Sequence, residues 1–220
     1  MSDFPKKKVA VLISGRGSNM ASLIEATKNE SYPAEICAVI SNRLDAKGLE
    51  TAKDNGIQTF VVDHKLFGKD RESFEKELHQ KIKASGAELV VLAGFMRLLT
   101  PWFVSQWENR VINIHPALLP SFPGLDTHQR ALTAGVRLHG ATVHFVTSEM
   151  DVGPIIMQGA VPVLDDDTPD TLGARVLTIE HEIYPEALAL VAAGRTKIEG
   201  HRVRIIGCDD LEEDLIAPVI

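Results

Sequence analysis

Short apolar segments alternate with segments of helical periodicity along the first half of the chain, and this alternation restricts the fold more than any other feature. The segment at 88–94, ELVVLAG, is apolar throughout, which is typical of a central parallel strand covered on both faces. Such an alternation predicts an α/β fold: a doubly wound, mostly parallel open sheet with helices on both faces. Strands are predicted at 8–13, 35–40, 58–62, 88–94 and 110–114, and helices at 19–27, 45–55, 70–84 and 101–107.

The pattern changes in the last third of the chain. Segments 141–146 and 155–163 favour strands but lie too close together for a crossover helix, so we expect an antiparallel C-terminal portion. A long helix is predicted from Thr168 and Pro169 to about residue 193, and residues 196–206 predict a small hairpin. We expect a single domain over residues 1–206 and a tail, 207–220, that the pattern does not place.

Charge and cysteine content restrict the class of partner and compartment. The 220 residues carry a formal charge of −7, whereas nucleic-acid binding requires a basic face, so no nucleic-acid partner is expected. Cys37 and Cys208 have no CxxC spacing, which argues against a zinc site or a disulfide framework. No segment is apolar enough for a signal peptide or a membrane span. We therefore expect a cytoplasmic protein without a membrane partner.

A glycine-containing turn, SGRGSN at 14–19, follows the first predicted strand and opens a helix. Glycine lets the backbone approach an anion, and a helix N-terminus offers unpaired N–H groups, so a phosphate is the expected guest. The dinucleotide fingerprint is incomplete because Met20 replaces its third glycine, and the second strand ends in Ser41 and Asn42 without an acidic residue. A monophosphate is favoured over NAD or ATP; a turn without a ligand remains the alternative.

Asn113 and His115 end the fifth predicted strand, where alternation places both side chains on one face. An Asn amide can donate to a developing oxyanion, and a His can shuttle a proton or stabilise charge, so the pair suits acyl transfer. Asp151 precedes a Gly-Pro turn that could direct its carboxylate toward His115. The alternatives are a satisfied polar pair at a strand end and an Asp that bonds its own turn.

Taken together, these segments resemble the phosphoribosylglycinamide formyltransferase family, from about Val9 to Arg195. Asn-x-His-Pro and Asp-x-Gly-Pro are shared by 10-formyltetrahydrofolate-dependent formyltransferases in general, whereas Gly-Ser-Asn and Glu-His-x-Ile-Tyr-Pro narrow the resemblance. The matching segments are ISGxGSN at 13–19, NxHP at 113–116 with LLP and PG following, VHFV at 143–146, DxGPI at 151–155 and EHxIYP at 180–185.

The resemblance implies transfer of a formyl group from 10-formyltetrahydrofolate, a co-substrate, to the amine of glycinamide ribonucleotide in de novo purine (IMP) biosynthesis. It implies a nucleotide-phosphate-binding half at 8–110 and a catalytic and folate half at 88–195. Separately, no metal is expected, because no paired ligand spacing is found among His64, His79, His139, His181 and His201. Catalysis would fall to Asn113, His115 and Asp151; substrate binding to Gly17, Ser18, Asn19 and Glu180; and folate binding to Arg71, Met96, Arg97, Leu98, Leu99 and Asn113.

One position departs from the family pattern, and several alternatives stay open. Asp126 stands where members often carry His, so we do not count it as catalytic, although His128 is retained. His144 is interpreted as a buried structural residue. A formyltetrahydrofolate hydrolase or a non-catalytic nucleotide-binding module are the competing functions, and a monomer and a homodimer are equally compatible with the sequence.

Overall fold

The structure is a computed structural model that describes residues 5–207, and a nine-stranded sheet runs through them. The strands are β1 (Lys7–Ile13), β2 (Ala34–Ser41), β3 (Gln58–Val61), β4 (Leu89–Leu92), β5 (Val111–His115), β6 (Leu138–Phe145), β7 (Ile155–Pro162), β8 (Thr196–Glu199) and β9 (Arg202–Ile205). Their spatial order is β3-β2-β1-β4-β5-β6-β7-β9-β8. Strands β1 to β5 are mutually parallel, whereas β6 is antiparallel to β5 and β7. The predicted open, mostly parallel sheet with an antiparallel C-terminal portion is confirmed.

Three of the helices begin where the sequence supplies a capping side chain. The side chain of Asp70 accepts from the backbone N–H of Ser73, and that of Thr168 accepts from Thr171, with Pro169 in the first turn. The helices are α1 (Ser18–Thr27), α2 (Gly48–Asp54), α3 (Arg71–Ala84), α4 (Pro101–Gln106), α5 (Thr127–Ala134) and α6 (Pro169–Ala192), with a 3-10 turn at His64–Phe67.

Alternation along β1 divides the core between the two faces of the sheet. Val9, Val11 and Ile13 pack on the side of α1 and α6, whereas Ala10 and Leu12 pack on the side of α3 and α4. All five are fully buried. Because helices cover both faces of the sheet, a ligand is expected to reach the sheet's polar groups at the carboxyl ends of the strands.

Two local predictions require correction. The helix predicted at 45–55 begins only at Gly48, because the Gly48 N–H donates to the Gly15 carbonyl oxygen (3.0 Å) and not to the Leu44 carbonyl of an earlier helical turn. Helix α5 was not predicted at all. Cys208 and the tail from residue 208 onward lie outside the described residues.

Candidate active site

A crevice opens where β1 and β4 lie side by side, since the chain leaves β1 toward β2 but β4 toward β5. Ligands of open α/β sheets bind at such a reversal of strand order. Ser14 closes the base of the crevice: its Oγ donates to Asn42 Oδ1 (2.6 Å) and accepts from the Met96 N–H (2.8 Å). The cavity above measures about 190 Å³ and is lined by Gly15, Arg16, Gly17, Ser18, Asn19, Ala93 and Gly94.

The glycine turn has the geometry of an anion site. Gly17 adopts φ 75°, and helix α1 begins directly after it at Ser18. A Cβ at Gly17 would lie 3.2 Å from the Cα of Gly48, so the turn also packs closely against the start of α2. The first N–H groups of α1 therefore border the cavity, where they can bind a phosphate.

Asn19 of α1 lines this cavity and is bonded to Glu180 of α6. The Asn19 amide Nδ2 donates to Glu180 Oε2 at 2.7 Å. Glu180 is buried, and burial raises the pKa of its carboxyl group. Among the described residues, the buried Oδ1 of Asn19 has no hydrogen-bond partner. Buried polar atoms are normally satisfied, so this oxygen can accept a bond from a ligand's hydroxyl or amine.

The strand register places Asn113 close to this crevice. Leu12 of β1 pairs with Leu92 of β4, and Leu92 pairs with Asn113 of β5. The Asn113 backbone therefore lies two strand spacings, about 10 Å, from β1. Asn113 and His115 are at the carboxyl end of β5, and the glycine turn follows the carboxyl end of β1; because these strands are parallel, both lie at the same end of the sheet.

His115 and Asp151 meet in the structure. His115 Nδ1 lies 3.5 Å from Asp151 Oδ2, and His115 Nε2 lies 2.9 Å from the carbonyl oxygen of Phe122. The Gly124 N–H donates to the same Asp151 oxygen at 2.8 Å. Both ring nitrogens of His115 thus lie near acceptor oxygens, the Phe122 carbonyl at hydrogen-bond distance and the Asp151 carboxylate at ion-pair distance.

The loop that carries Asp151 is held against the end of β6. The Phe145 N–H donates to the Pro154 carbonyl at 2.9 Å. A Cβ on Gly153 would lie 1.7 Å from the Phe145 carbonyl oxygen, so only glycine permits this approach. Asp151 itself adopts φ 56°, a left-handed conformation that Asp tolerates better than most residues. The Gly-Pro turn therefore presents the carboxylate to His115.

His144 is the site residue that sequence reasoning did not assign. It pairs with Asn113 across β5 and β6, and its Nε2 lies 3.4 Å from Asn113 Nδ2 and 4.0 Å from Asp151 Oδ1. Its Nδ1 lies 2.9 Å from the Phe145 carbonyl oxygen. Burial lowers the pKa of His144. The available sequence signal was its strand alternation with Val143 and Phe145, which indicated burial but no partner.

The segment predicted to bind folate is divided between surface and core. Met96 and Leu98 are exposed (66 % and 58 %), whereas Leu99 packs against the core. Arg71 Nη2 donates to the Leu98 carbonyl oxygen, and the Arg97 guanidinium lies over the Phe74 ring at 5.9 Å. The structure therefore brings Arg71 to this segment but turns Arg97 toward α3.

Three further exposed apolar side chains were not predicted as site residues: Leu125 (68 %), Met150 (52 %) and Val152 (58 %). The loops that carry them flank Asp151, and a Cβ on Gly124 would lie 3.8 Å from Met150 Cε. Neighbouring exposed apolar side chains are common at ligand sites. Within residues 5–207, no three His, Cys, Asp or Glu side chains are grouped to hold a metal, and no helix is long and apolar enough to cross a bilayer.

Comparisons with known proteins point to one family. The profile of the formyl transferase family matches residues 7–188. The chain is 47 % identical over 190 residues to phosphoribosylglycinamide formyltransferase of Escherichia coli (strain K12). This match covers 86 % of this chain and 89 % of the relative. It is 49 % identical over 193 residues to the trifunctional purine biosynthetic protein adenosine-3 of Gallus gallus. That match covers 88 % of this chain but 19 % of the relative, so the chain spans about a fifth of the trifunctional protein's length.

Solved structures agree with the sequence relatives. Glycinamide ribonucleotide transformylase 1 from Symbiobacterium toebii has a TM-score of 0.89 at 45 % identity, covering 91 % of this chain and 94 % of its own. A formyltetrahydrofolate deformylase from Pseudomonas syringae pv. tomato is more distant, with a TM-score of 0.84 at 29 % identity. It matches 92 % of this chain but 66 % of its own.

Proposed function

We propose that this chain, which belongs to the formyl transferase family, transfers the formyl group of 10-formyltetrahydrofolate to the amine of glycinamide ribonucleotide. The observation that carries the proposal is that the glycine turn, with the geometry of an anion site, and the cluster of Asn113, His115 and Asp151 lie at the same end of the parallel strands. The reaction would be a step of de novo purine biosynthesis. Our expectations of a cytoplasmic location and of a monomer or homodimer remain predictions.

The nucleotide would bind at the β1 side of the crevice. Its phosphate fits the N–H groups of Gly17, Ser18 and Asn19, because these open α1 and border the cavity. Its ribose hydroxyls fit Glu180 and the unsatisfied Oδ1 of Asn19, since a carboxylate and an amide oxygen both accept hydrogen bonds. The amine would then extend along the strand ends toward β5.

The folate would bind at the β5 side, against the exposed apolar side chains. Met96 and Leu98 on one side, and Met150 and Val152 on the other, offer the apolar surface that a fused-ring co-substrate requires. Arg71 supplies positive charge for the acidic tail of a folate, and its guanidinium already contacts the Leu98 carbonyl. The roles of Arg97 and Leu99 stay predictions, because neither side chain adds to this exposed apolar surface.

The chemistry assigned to the cluster follows from what each group can donate. The substrate amine attacks the formyl carbon, a tetrahedral oxyanion forms, and the C–N bond to the folate breaks as the amine's proton passes to the leaving nitrogen. Asn113 donates an N–H to the oxyanion, and loss of one such donor typically costs about 100- to 1,000-fold in rate. The Nε2–H of His115 is bonded to the Phe122 carbonyl and so is not free to donate to the oxyanion. His115 therefore stabilises the oxyanion by its charge. Asp151 orients and stabilises that charge.

The test is to incubate the protein with 10-formyltetrahydrofolate, with and without glycinamide ribonucleotide, and to follow both tetrahydrofolate release and the formylated amine. The proposal predicts both products only when the amine is present, and loss of both in the Asn113→Ala variant. Release of folate and formate without the amine supports a hydrolase. The hydrolase is the second candidate because a formyltetrahydrofolate deformylase is among the similar structures. No consumption in either reaction supports a non-catalytic nucleotide-binding module.

A further inference from the structure

The side-chain amide of Asn113 is held by a neighbour whose protonation can be worked out from its contacts. His144 Nδ1 lies 2.9 Å from the Phe145 carbonyl oxygen, which can only accept, so Nδ1 must carry the proton. In a neutral ring Nε2 is then an acceptor. The atom of Asn113 that lies 3.4 Å from Nε2 is the amide nitrogen, which matches this tautomer.

Neutrality of the His144 ring follows from its surroundings. The residue is 2 % exposed, and desolvation disfavours a second proton on a buried imidazole. The titratable groups that face it are Asp151, with Oδ1 at 4.0 Å, and His115, which stands closer to the same carboxylate at 3.5 Å. Because the His144 ring is neutral, the negative charge of Asp151 interacts with His115 and not with a charged His144.

We infer that His144 is a positioning residue: its Nε2 accepts one N–H of Asn113 and thereby aims the other N–H at the oxyanion of the formyl transfer proposed above. An Asn side chain at a strand end can otherwise rotate, or turn its oxygen toward the substrate. A flipped amide would present a lone pair where a donor is needed. The inference rests on the proposed function, because the oxyanion belongs to that reaction.

Local backbone structure supports this assignment. The pairing of β6 with β7 shifts register between Val143 and His144, and such an irregularity commonly redirects a side chain beside an active site. The Phe145 carbonyl that fixes the tautomer is also the oxygen against which Gly153 packs. The same strand end therefore sets the His144 ring and the loop of Asp151.

Two substitutions at position 144 test the roles of the two imidazole nitrogens separately. Asn at position 144 keeps an N–H near the place of Nδ1 but has no acceptor at the place of Nε2, whereas Gln reaches that place with an amide oxygen. We expect His144→Asn to lower kcat about 100-fold with KM of both substrates within about twofold, because the defect is one of alignment. His144→Gln should recover most of the lost kcat. Equal kcat in the two variants would overturn the inference.

A double variant tests whether His144 acts through Asn113. If it does, His144→Asn should lower kcat no further in an Asn113→Ala background, because the amide to be aimed is gone. Independent, multiplicative losses would contradict the inference. Turnover by the wild-type protein is the control. If the wild-type protein forms no product from the amine and the formyl donor, the proposed function fails; if it forms product but the losses multiply, this inference alone fails.

A measurement on the wild-type protein keeps the inference testable if the variants do not fold. Heteronuclear NMR of the imidazole nitrogens at neutral pH should find His144 neutral and protonated at Nδ1. A proton on Nε2, or on both nitrogens, would leave no acceptor for Asn113 and would overturn the inference whatever the activities are.

Discussion

At the scale of single residues, Asp151 shows how one carboxylate can organise a site. Its Oδ2 accepts the Gly124 N–H at 2.8 Å and lies 3.5 Å from His115 Nδ1, while its side chain is 11 % exposed. The carboxylate thus links the loop after β5 to the loop after β6. Its charge is largely shielded from water, so its effect on the imidazole is stronger than that of a surface carboxylate.

Asp151→Asn should therefore lower kcat by about 100-fold or more while both substrates bind nearly as in the wild-type protein, because the neutral amide no longer stabilises a charged His115. Steady-state kinetics and equilibrium binding of each substrate measure the two effects. Asp126→Asn is the matched control: Asp126 is exposed, immediately precedes α5, and should tolerate Asn at its φ of 55°. Near-normal turnover of Asp151→Asn would remove Asp151 from the mechanism.

Glu180 carries a cost in stability that its proposed role in binding explains. Burial raises the pKa of its carboxyl, so the folded state favours the protonated form and loses stability as pH rises from the unfolded value of about 4.3 through the folded one. Glu180→Gln should raise Tm at neutral pH, and the gain should shrink toward pH values of about 4.

The same substitution should raise KM for glycinamide ribonucleotide about tenfold or more, because a charged hydrogen-bond acceptor is lost. Glu182→Gln, an exposed carboxylate on the same helix, should change neither Tm nor KM. A lower Tm for Glu180→Gln at neutral pH would show that the carboxylate stabilises the fold and would contradict this account.

At the scale of elements, the start of α6 is secured by an ion pair that is largely hidden from water. Asp167 accepts from Arg175 at 2.7 Å and 2.9 Å and from the Leu164 N–H at 2.8 Å, and its side chain is 2 % exposed. Arg175 also donates to the Pro162 carbonyl at the end of β7. These bonds join α6 to the strand beside β6, and α6 carries Glu180 to the crevice.

Asp167→Asn should lower the free energy of unfolding by about 2–3 kcal/mol, because the partner charge of Arg175 loses its acceptor. Hydrogen bonds from Arg175 hold the pKa of Asp167 well below its ordinary value. The stability they contribute is present above about pH 4 and is lost as pH falls through the folded pKa, so the difference between variant and wild type should narrow in acid.

Asp165→Asn supplies the control for this comparison in urea denaturation. Asp165 pairs with Arg137 at the surface, with 86 % of its side chain exposed, and exposed pairs contribute about 0–1 kcal/mol. Equal destabilisation by the two substitutions would mean that the burial of Asp167 adds nothing to its ion pair.

At the scale of the whole molecule, the strand order explains why distant residues share one site. The reversal between β1 and β4 opens the crevice, and the antiparallel return of β6 brings His144 and the Asp151 loop back beside β5. The parallel strands were predictable because apolar runs such as 88–94 allow few alternatives. The long helix was predictable from Thr168 and Pro169, which act as start signals.

Other features depend on tertiary contacts that no local pattern records. Helix α5 buries only Thr127 and Ala131, so it lacks the apolar periodicity by which a helix is recognised. The approach of Asp151 to His115 depends on Gly153 packing against Phe145, a contact between separate elements. Taken alone, the sequence around Asp151 favours an ordinary turn residue, and the catalytic role is what the family resemblance implies.

The central claim is that one crevice holds the nucleotide phosphate at the glycine turn and the reacting carbon beside Asn113. A crystal structure with glycinamide ribonucleotide and an unreactive analogue of 10-formyltetrahydrofolate tests it directly. We predict the phosphate on the N–H groups of residues 17–19, and the substrate amine and the Asn113 amide each within about 3–3.5 Å of the group that replaces the formyl. A phosphate bound away from α1, or a folate on the face of the sheet opposite Asn113, would contradict the account.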